Sequence, residues 1–192
     1  MTRSGEKTLI SLGSNSPNGS DSAASSVQKA RDALLEIYGC EGARVSRTYL
    51  TPAFPAGIGP DFVNLAMTVT THDLPETVLT VLHDIEATAG RTRTVRWGDR
   101  TLDLDLIAVG RAVLPNVATQ TRWRDLPLHA QRTHWPDRLI LPHPRMQDRA
   151  FVLVPLAEVA PDWVHPVTGR SVTQMRDALP AADLAGLRVL ET

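Results

Sequence analysis

The chain has 192 residues, a hydrophobic fraction of 42%, a charged fraction of 21% and a formal net charge of −1 at pH 7. These values are typical of a globular domain, and the near-neutral charge argues against a general nucleic-acid binder. A single cysteine, Cys40, excludes an intrachain disulfide; no apolar run approaches the roughly 18 residues of a membrane span, and the N-terminus lacks a signal-peptide pattern. We therefore expect one cytoplasmic domain over 1–192, with a tail at 1–7 and no nucleic-acid or membrane partner.

The N-terminal part of the chain predicts a strand followed by a helix. The apolar run at 8–13 indicates the strand. Ser20 or Asp21 is a candidate cap for a helix that runs to about Tyr38 and stops at Gly39. The predicted buried stripe of this helix is Val27, Ala30, Leu34 and Ile37.

Two further strands follow, separated by a long loop. The alternating segment 43–50 predicts one strand and 62–71 predicts the other. The loop 51–62 contains three prolines and two glycines; long loops in compact domains are often functional, although an idle surface crossover fits equally well. Phe62 and Asn64 share one face of their strand. Because asparagine is depleted in strands, Asn64 either faces solvent or reads the edge of a ligand.

A second helix is predicted to begin around Asp73-Leu74-Pro75 and to stop at Gly90. Its predicted buried stripe is Val78, Leu82, Ile85 and Ala89. Glu86 lies in the last turn, where the helix dipole disfavours a carboxylate. We interpret this unfavourable charge as a hint of a role with the cations that follow.

The strongest functional pattern lies in Gly90–Gly110, where a basic loop leads into a strand. The loop carries Arg91, Arg93, Arg96, Trp97 and Arg100. In the strand, leucines alternate with Asp103 and Asp105, so the leucines enter the core and both carboxylates share the other face, with Cα atoms roughly 6–7 Å apart. Mg²⁺ suits such a pair, because it takes one or two carboxylates and completes its shell with water and phosphate oxygens.

An ordinary solvated sheet face with weak surface ion pairs also fits this pattern. Trp97 favours the functional interpretation, because a tryptophan on a basic, glycine-containing loop is better explained as a lid over a ligand. Up to this strand the order is βαββαβ, which predicts an α+β fold with a ferredoxin-like antiparallel sheet. We expect the helices on one face of that sheet and the other face free for the acidic pair, Phe62 and Asn64.

The C-terminal part reads as additions to this core. Residues 111–137 fit no regular element and are interpreted as an irregular insertion. Residues 138–141 predict a short strand, 152–159 look buried, and 171–179 resemble a short amphipathic helix. His143, held between two prolines and followed by Arg145 and Arg149, is either structural or a hydrogen-bond donor to phosphate. Phe151 is either core or a stacking platform.

Several motifs, taken together and in order, resemble one family. They are LGSN at 12–15, YLTP at 49–52, PDFVN at 60–64, GRTR followed by RWGDRTLDLDL within 90–106, LPHPRMQDRAFVLVPL at 141–156 and APD followed by HP within 160–166. The family is the 6-hydroxymethyl-7,8-dihydropterin pyrophosphokinases of folate biosynthesis. The resemblance implies that ATP gives its β,γ-pyrophosphoryl group to the pterin hydroxymethyl oxygen, leaving AMP.

The resemblance also implies roles for individual residues. Asp103 and Asp105 would hold two Mg²⁺ ions and, with Arg91 and Arg100, form the catalytic set. The implied ATP-binding residues are Glu86, Arg93, Trp97, Leu106, Arg138, Ile140, His143 and Arg149. The implied pterin-binding residues are Thr51, Pro52, Phe54, Phe62, Asn64 and Phe151, with the pterin stacked between Phe62 and Phe151. The expected partners are the two small-molecule substrates, and a monomer is expected. No general base is assigned.

The chain departs from the family pattern at three places: Asp99 replaces a usual proline, Phe62 stands where tyrosine is common, and the 111–137 segment is long. Two other functions stay open. A metal-dependent nucleotidyltransferase also pairs Gly-Ser with Asp-x-Asp, although there the two elements are close in sequence. A non-catalytic ferredoxin-like module that binds RNA or another ligand would need aromatics on the central strands and a basic sheet face.

Overall fold

The computed structural model describes residues 5–15, 20–52, 60–89, 102–131 and 133–191 of the chain, with backbone only at 20, 21 and 128. Its strands are β1 (Glu6–Ser14), β2 (Arg44–Val45), β3 (Tyr49–Thr51), β4 (Phe62–Thr71), β5 (Asp103–Val109) and β6 (Arg188–Val189). Its helices are α1 (Ser20–Tyr38), α2 (Pro75–Thr88), α3 (Val117–Arg124), α4 (Leu128–Gln131), α5 (Ala150–Val159), α6 (Val172–Asp177) and α7 (Ala181–Leu184), with a 3₁₀ turn at Met146–Asp148.

The six strands form one antiparallel sheet in the order β5-β1-β4-β3-β6, with β2 also beside β4. The short strands β2 and β3 together take the place of the second strand of a βαββαβ unit. The sheet order is therefore that of the ferredoxin-like fold, as predicted. The predicted strand at 43–50 is divided because the hydroxyl of Ser46 accepts the amide proton of Ala66 at 2.9 Å, which interrupts the ladder.

One face of the sheet packs against α1 and α2, because every second residue of the long strands is apolar. Ile10 and Leu12 of β1 and Leu104 and Leu106 of β5 point to this side and are almost fully buried. The helices contribute Val27, Ala30, Leu34, Val78 and Leu82. The predicted stripes were wrong at their ends: Ile37 is 52% exposed, and Ala89 is exposed while Glu86 is buried.

The second face is only partly open, which corrects the expectation that it stays free. Helix α5 lies across it and packs Val152, Leu153 and Leu156 against a second apolar cluster that includes Leu9 and Ile107. Helix α6, begun by a capping box at Ser171, extends this layer, as predicted for 171–179. Near the ends of β1, β4 and β5, the polar residues Asp103, Asp105 and Asn64 occupy the same face.

Three other expectations required correction. The 111–137 segment is not wholly irregular, because Asn116 caps α3 by accepting the Thr119 amide proton and α4 follows. Residues 138–141 form no strand, and Leu141 makes only an isolated bridge to Leu114. The N-cap of α2 is Leu74 rather than Asp73, with no side-chain cap. Within the described part of the chain, no helix has both the length and the apolar character needed to cross a bilayer.

Candidate functional site

Asp103 and Asp105 stand on one face of β5, half-buried, and Leu104 points to the opposite side. Asp103 is paired in register with Gly13 of β1, and Asp105 with Ser11. The alternation of the sequence predicted this arrangement. The acidic pair is held on the second face of the sheet by the burial of the leucines behind it.

A row of residues runs across the sheet from the acidic pair. Gly13 lies between Asp103 and Asn64, and Tyr49 continues the row on β3. Since neighbouring strands are about 4.8 Å apart, the backbone positions of Asp103 and Asn64 are separated by roughly 10 Å. A Cβ atom on Gly13 would lie 2.8 Å from Asn64 Oδ1. The glycine therefore leaves a notch in the row between a carboxylate and an amide.

Asn64 is the amide at the far side of this notch. It is 3% exposed, so it does not face solvent, and its Nδ2 donates to Thr51 Oγ1 at 2.7 Å. This bond fixes the amide orientation and directs Oδ1 toward Gly13.

Two other residues expected near the pterin are Phe62 and Pro52. Phe62, two residues before Asn64 on the same face, is half-buried. Pro52 is exposed and lies against Gly186, whose added Cβ would come within 2.5 Å of the proline ring.

Arg149 joins α5 to the acidic pair. It occupies the N-cap position of α5, and its Nη1 donates to Asp105 Oδ2 at 3.4 Å. The same guanidinium lies 5.5 Å from the centre of the Phe151 ring. Phe151 is half-buried at the edge of the second apolar cluster. One helix start thus presents a cation and an aromatic ring to the polar end of the sheet.

His143 is held close to this group by its backbone and its ring. Its amide donates to Ile107 O at 2.8 Å, and Nδ1 accepts the Arg145 amide proton at 3.2 Å. Burial lowers the pKa of His143 to about 3, and the charges of Arg149 and Arg145 act in the same direction. The ring is therefore neutral at physiological pH, with its proton on Nε2 because Nδ1 is an acceptor.

Glu86 ties α2 to β5. It is 3% exposed, and its Oε1 accepts the amide proton of Leu104 at 2.8 Å. Among the described strands β5 lies at the edge of the sheet, and this amide faces none of them. The carboxylate that looked misplaced at the end of a helix fixes the backbone between Asp103 and Asp105.

Three other residues implied by the resemblance do not have their side chains beside the two carboxylates. Leu106 is 3% exposed in the core on the opposite face, and Ile140 is equally buried. Arg138 is exposed and pairs with its neighbour Asp137 at 3.1 Å. Phe54, Arg91, Arg93, Arg96, Trp97, Asp99 and Arg100 lie outside the described residues.

Sequence reasoning gave no role to two parts of this site. Glu158 of α5 accepts hydrogen bonds from Arg47 and from the hydroxyl of Tyr49, which joins α5 to the end of the polar row. Burial raises the pKa of Tyr49, and the hydrogen bond to Glu158 raises it further. Gly13 was also missed as a spacer, although its place in the LGSN motif was a usable signal.

The donor set fits a hard cation. Asp103 and Asp105 offer carboxylate oxygens on one partly open face, and Arg149 adds positive charge beside them. Mg²⁺ prefers oxygen ligands and is commonly held by one or two carboxylates, with substrate phosphates supplying others. Among the described residues, no third His, Cys, Asp or Glu joins the pair in a metal-binding cluster.

Comparison with known proteins gives consistent matches. Residues 9–161 match the family model described as 7,8-dihydro-6-hydroxymethylpterin-pyrophosphokinase. A 2-amino-4-hydroxy-6-hydroxymethyldihydropteridine pyrophosphokinase from Synechocystis is 39% identical over 78% of this chain and 66% of its own length. The enzyme of that name from Pseudomonas aeruginosa is 34% identical over 91% of this chain and 93% of its own.

Solved structures give the same fold. A Plasmodium falciparum HPPK-DHPS structure superposes with a TM-score of 0.64 at 12% identity, and covers 98% of this chain and 48% of that one. The wild-type form of that protein gives a TM-score of 0.59 at 13% identity over 92% of this chain. The present chain thus spans less than half of those proteins, and at such identity the likeness concerns the fold alone.

Proposed function

The chain belongs to the 7,8-dihydro-6-hydroxymethylpterin-pyrophosphokinase family, and on that premise we propose that it transfers pyrophosphate from ATP to 6-hydroxymethyl-7,8-dihydropterin. The products are the pterin diphosphate and AMP, and the reaction serves folate biosynthesis. The matched region extends over most of the chain, and the Pseudomonas relative is covered almost from end to end.

The observation that carries this proposal is the row Asp103–Gly13–Asn64. It sets an acidic pair at one side of a notch and a buried, oriented amide at the other. A transfer between a charged triphosphate and a flat heterocycle needs both: charge neutralisation at one end and hydrogen-bond recognition at the other. Their separation of roughly 10 Å leaves space for the two reacting groups to meet between them.

In this proposal Asp103 and Asp105 hold Mg²⁺, two ions as the family resemblance implies. Bound Mg²⁺ neutralises phosphate charge and orients the phosphates for attack. The chain's own contribution is to keep both carboxylates on one face, which the buried leucines and the Glu86 bond to Leu104 achieve.

Arg149 and His143 act on the nucleotide side. Arg149 already donates to Asp105 and has further N–H groups for phosphate oxygens. The neutral His143 ring can donate from Nε2 without adding a charge. The arginine loop at 91–100 is proposed to clamp the phosphates, with Trp97 closing over them.

The pterin is proposed to lie between Phe62 and Phe151, with Asn64 reading its edge. Flat aromatic faces favour stacked neighbours, and an amide matches a ring edge that has both donors and acceptors. The bond from Asn64 to Thr51 supports this role, because an amide with a fixed orientation discriminates better than one that rotates. Thr51, Pro52 and Phe54 are proposed to frame the same site.

Incubation with ATP, Mg²⁺ and hydroxymethyldihydropterin tests the proposal. AMP and the pterin diphosphate should form in equal amounts. Formation of ADP, or no turnover by a protein that circular dichroism shows to be folded, would reject it.

We further propose that residues 1–192 act as one cytoplasmic domain and as a monomer. Cell fractionation checks the cytoplasmic location, and sedimentation measurements check the monomeric state.

A further inference from the structure

The 111–137 segment is joined to the candidate site through Arg145. Nη2 of Arg145 donates to the backbone carbonyl of Gln131 at 2.8 Å and approaches that of His134 at 3.5 Å. Both carbonyls belong to the end of α4 and the chain that follows it. Arg145 itself lies between His143 and the 3₁₀ turn that leads to Arg149. The insertion therefore contacts the same short stretch of chain that supplies His143 and Arg149.

Arg145 is electrostatically coupled to the site. Burial lowers its pKa, the positive charge of Arg149 lowers it further, and the carboxylate of Asp105 raises it. Two guanidinium groups thus share the neighbourhood of Asp105. An anion that bound between them would relieve their mutual repulsion.

The carbonyl that holds Arg145 is itself anchored. The side chain of Gln131 donates from Nε2 to the carbonyl of Leu126 at 2.7 Å, which closes the turn around α4. Gln131 thus makes two bonds: its side chain ties the end of α4 to Leu126, just before the helix, and its carbonyl ties it to Arg145.

We propose that Arg145 binds the triphosphate of the nucleotide, and that the 111–137 segment positions its guanidinium. Nη2 is used by the carbonyls, and within the described part of the chain Nε and Nη1 make no hydrogen bond. A guanidinium fixed at one nitrogen presents its remaining N–H groups in a fixed direction, which suits phosphate oxygens. The inference rests on the proposed function for the identity of the nucleotide and adds a residue and a role for the insertion.

Arg145→Ala and Arg145→Lys test the first part, with Arg122→Ala on the exposed surface of α3 as the matched control. The alanine variant should raise the KM for ATP, and the Kd of a nonhydrolysable ATP analogue with Mg²⁺, by about 10- to 100-fold, the range for a hydrogen bond to a charged group. The lysine variant should fall in between, since it keeps the charge and loses the fork. The KM for the pterin and the melting temperature should stay close to those of the control. An unchanged analogue Kd, or equal losses for both substrates, would overturn the proposal.

Gln131→Ala tests the second part, because it removes the anchor of α4 and keeps the carbonyl. It should weaken analogue binding about threefold in the wild-type background, as expected for one neutral hydrogen bond. In the Arg145→Ala background it should have no further effect, since the two changes act through one contact. If the effects of Gln131→Ala and Arg145→Ala on analogue binding were additive, the insertion would not position Arg145, and this part of the proposal would be wrong.

The binding assay separates this inference from the proposed function. If the wild type binds the ATP analogue and Arg145→Ala weakens it, the inference stands even where no pyrophosphoryl transfer occurs. If transfer occurs and Arg145→Ala binds the analogue normally, the proposed function stands and the inference fails.

Discussion

Arg149 reaches from the start of α5 to Asp105 on β5, with 3.4 Å between Nη1 and Oδ2. This distance lies beyond the usual range for a charge-assisted hydrogen bond. The two side chains are 27% and 31% exposed, so solvent screens the contact and it adds little to stability. A long, partly exposed pair at the polar end of a sheet is easily rearranged when a phosphate group enters.

Arg149→Ala should therefore impair catalysis more than folding. We expect kcat/KM for ATP to fall about 10- to 100-fold, because a charge-assisted contact to phosphate is lost. The free energy of unfolding should change by less than about 1 kcal/mol. Steady-state kinetics and urea unfolding measure both quantities. Arg176→Ala, which removes a surface pair with Asp177, is the control and should change neither. A loss of stability with normal kinetics would contradict this role.

Asp105→Asn should abolish turnover while leaving the fold unchanged, because the amide keeps the shape of the side chain and loses its charge. Loss of metal-assisted charge neutralisation is worth several kcal/mol, so we expect a rate at least about a thousandfold lower. AMP formation is the measurement, and wild-type protein treated with EDTA should lose activity that Mg²⁺ restores. Asp125→Asn, on an exposed residue at the end of α3, serves as the control. Near-normal turnover by Asp105→Asn would show that the acidic pair is not the metal site.

Glu86→Ala should lower stability, because it leaves the buried amide of Leu104 without an acceptor. An unsatisfied buried donor costs about 1–3 kcal/mol. Glu86→Gln should cost less, because its amide oxygen can still accept. Urea midpoints compare the two variants with the wild type. Equal stability of all three would show that this bond does not hold β5.

The alternation of leucine and aspartate was sufficient to place the acidic pair, because a strand with one buried face fixes the direction of every side chain. The role of Glu86 could not be predicted in the same way. Its partner is a backbone amide of an edge strand that is distant in sequence, and no local pattern encodes that contact. The same limit applies to the hydrogen bonds of Arg145, because their acceptors are backbone carbonyls of the insertion.

The division of the predicted strand at 43–50 has a different cause. The side chain of Ser46 replaces a backbone acceptor for the Ala66 amide, and such local competition by serine is not visible in a hydrophobic pattern. The buried ends of helices were also misjudged. The buried face of α1 continues from Leu34 to Tyr38, which packs against the core at the end of the helix, so Ile37 is left 52% exposed.

Stability should fall between about pH 6.5 and pH 4, partly because of His165. This ring is fully buried, and Nδ1 accepts the amide protons of Val167 and Thr168. Burial, with a smaller effect of Arg124, lowers its pKa from 6.5 to about 4. The folded protein therefore favours the neutral ring. Its contribution to stability is complete above the unfolded pKa, begins to decline below pH 6.5 and is lost once the pH has passed the folded value near 4.

His165→Asn should flatten this dependence, because the amide oxygen can accept the same two protons and does not titrate. The gap between the pKa values corresponds to about 3 kcal/mol at most. Urea unfolding at pH 7.5 and pH 4.5 gives the comparison. Burial also lowers the pKa of His143, so part of the pH dependence should remain in His165→Asn. A slope in His165→Asn as steep as that of the wild type would rule out this source.

Gly13→Ala should weaken the use of the pterin more than the use of ATP. The added Cβ would lie 2.8 Å from Asn64 Oδ1 but 4.0 Å from the Asp103 carbonyl oxygen, so the amide has to move and the acidic strand does not. Asn64 is buried and bonded to Thr51, which leaves it little freedom to turn aside. We expect the KM for the pterin to rise about tenfold, equivalent to about 1.4 kcal/mol, with the KM for ATP within about twofold. Because both constants come from one preparation, the ATP value is the internal control. A larger change in the ATP constant than in the pterin constant would mean that Gly13 makes room for the nucleotide instead of keeping Asn64 in position for the pterin.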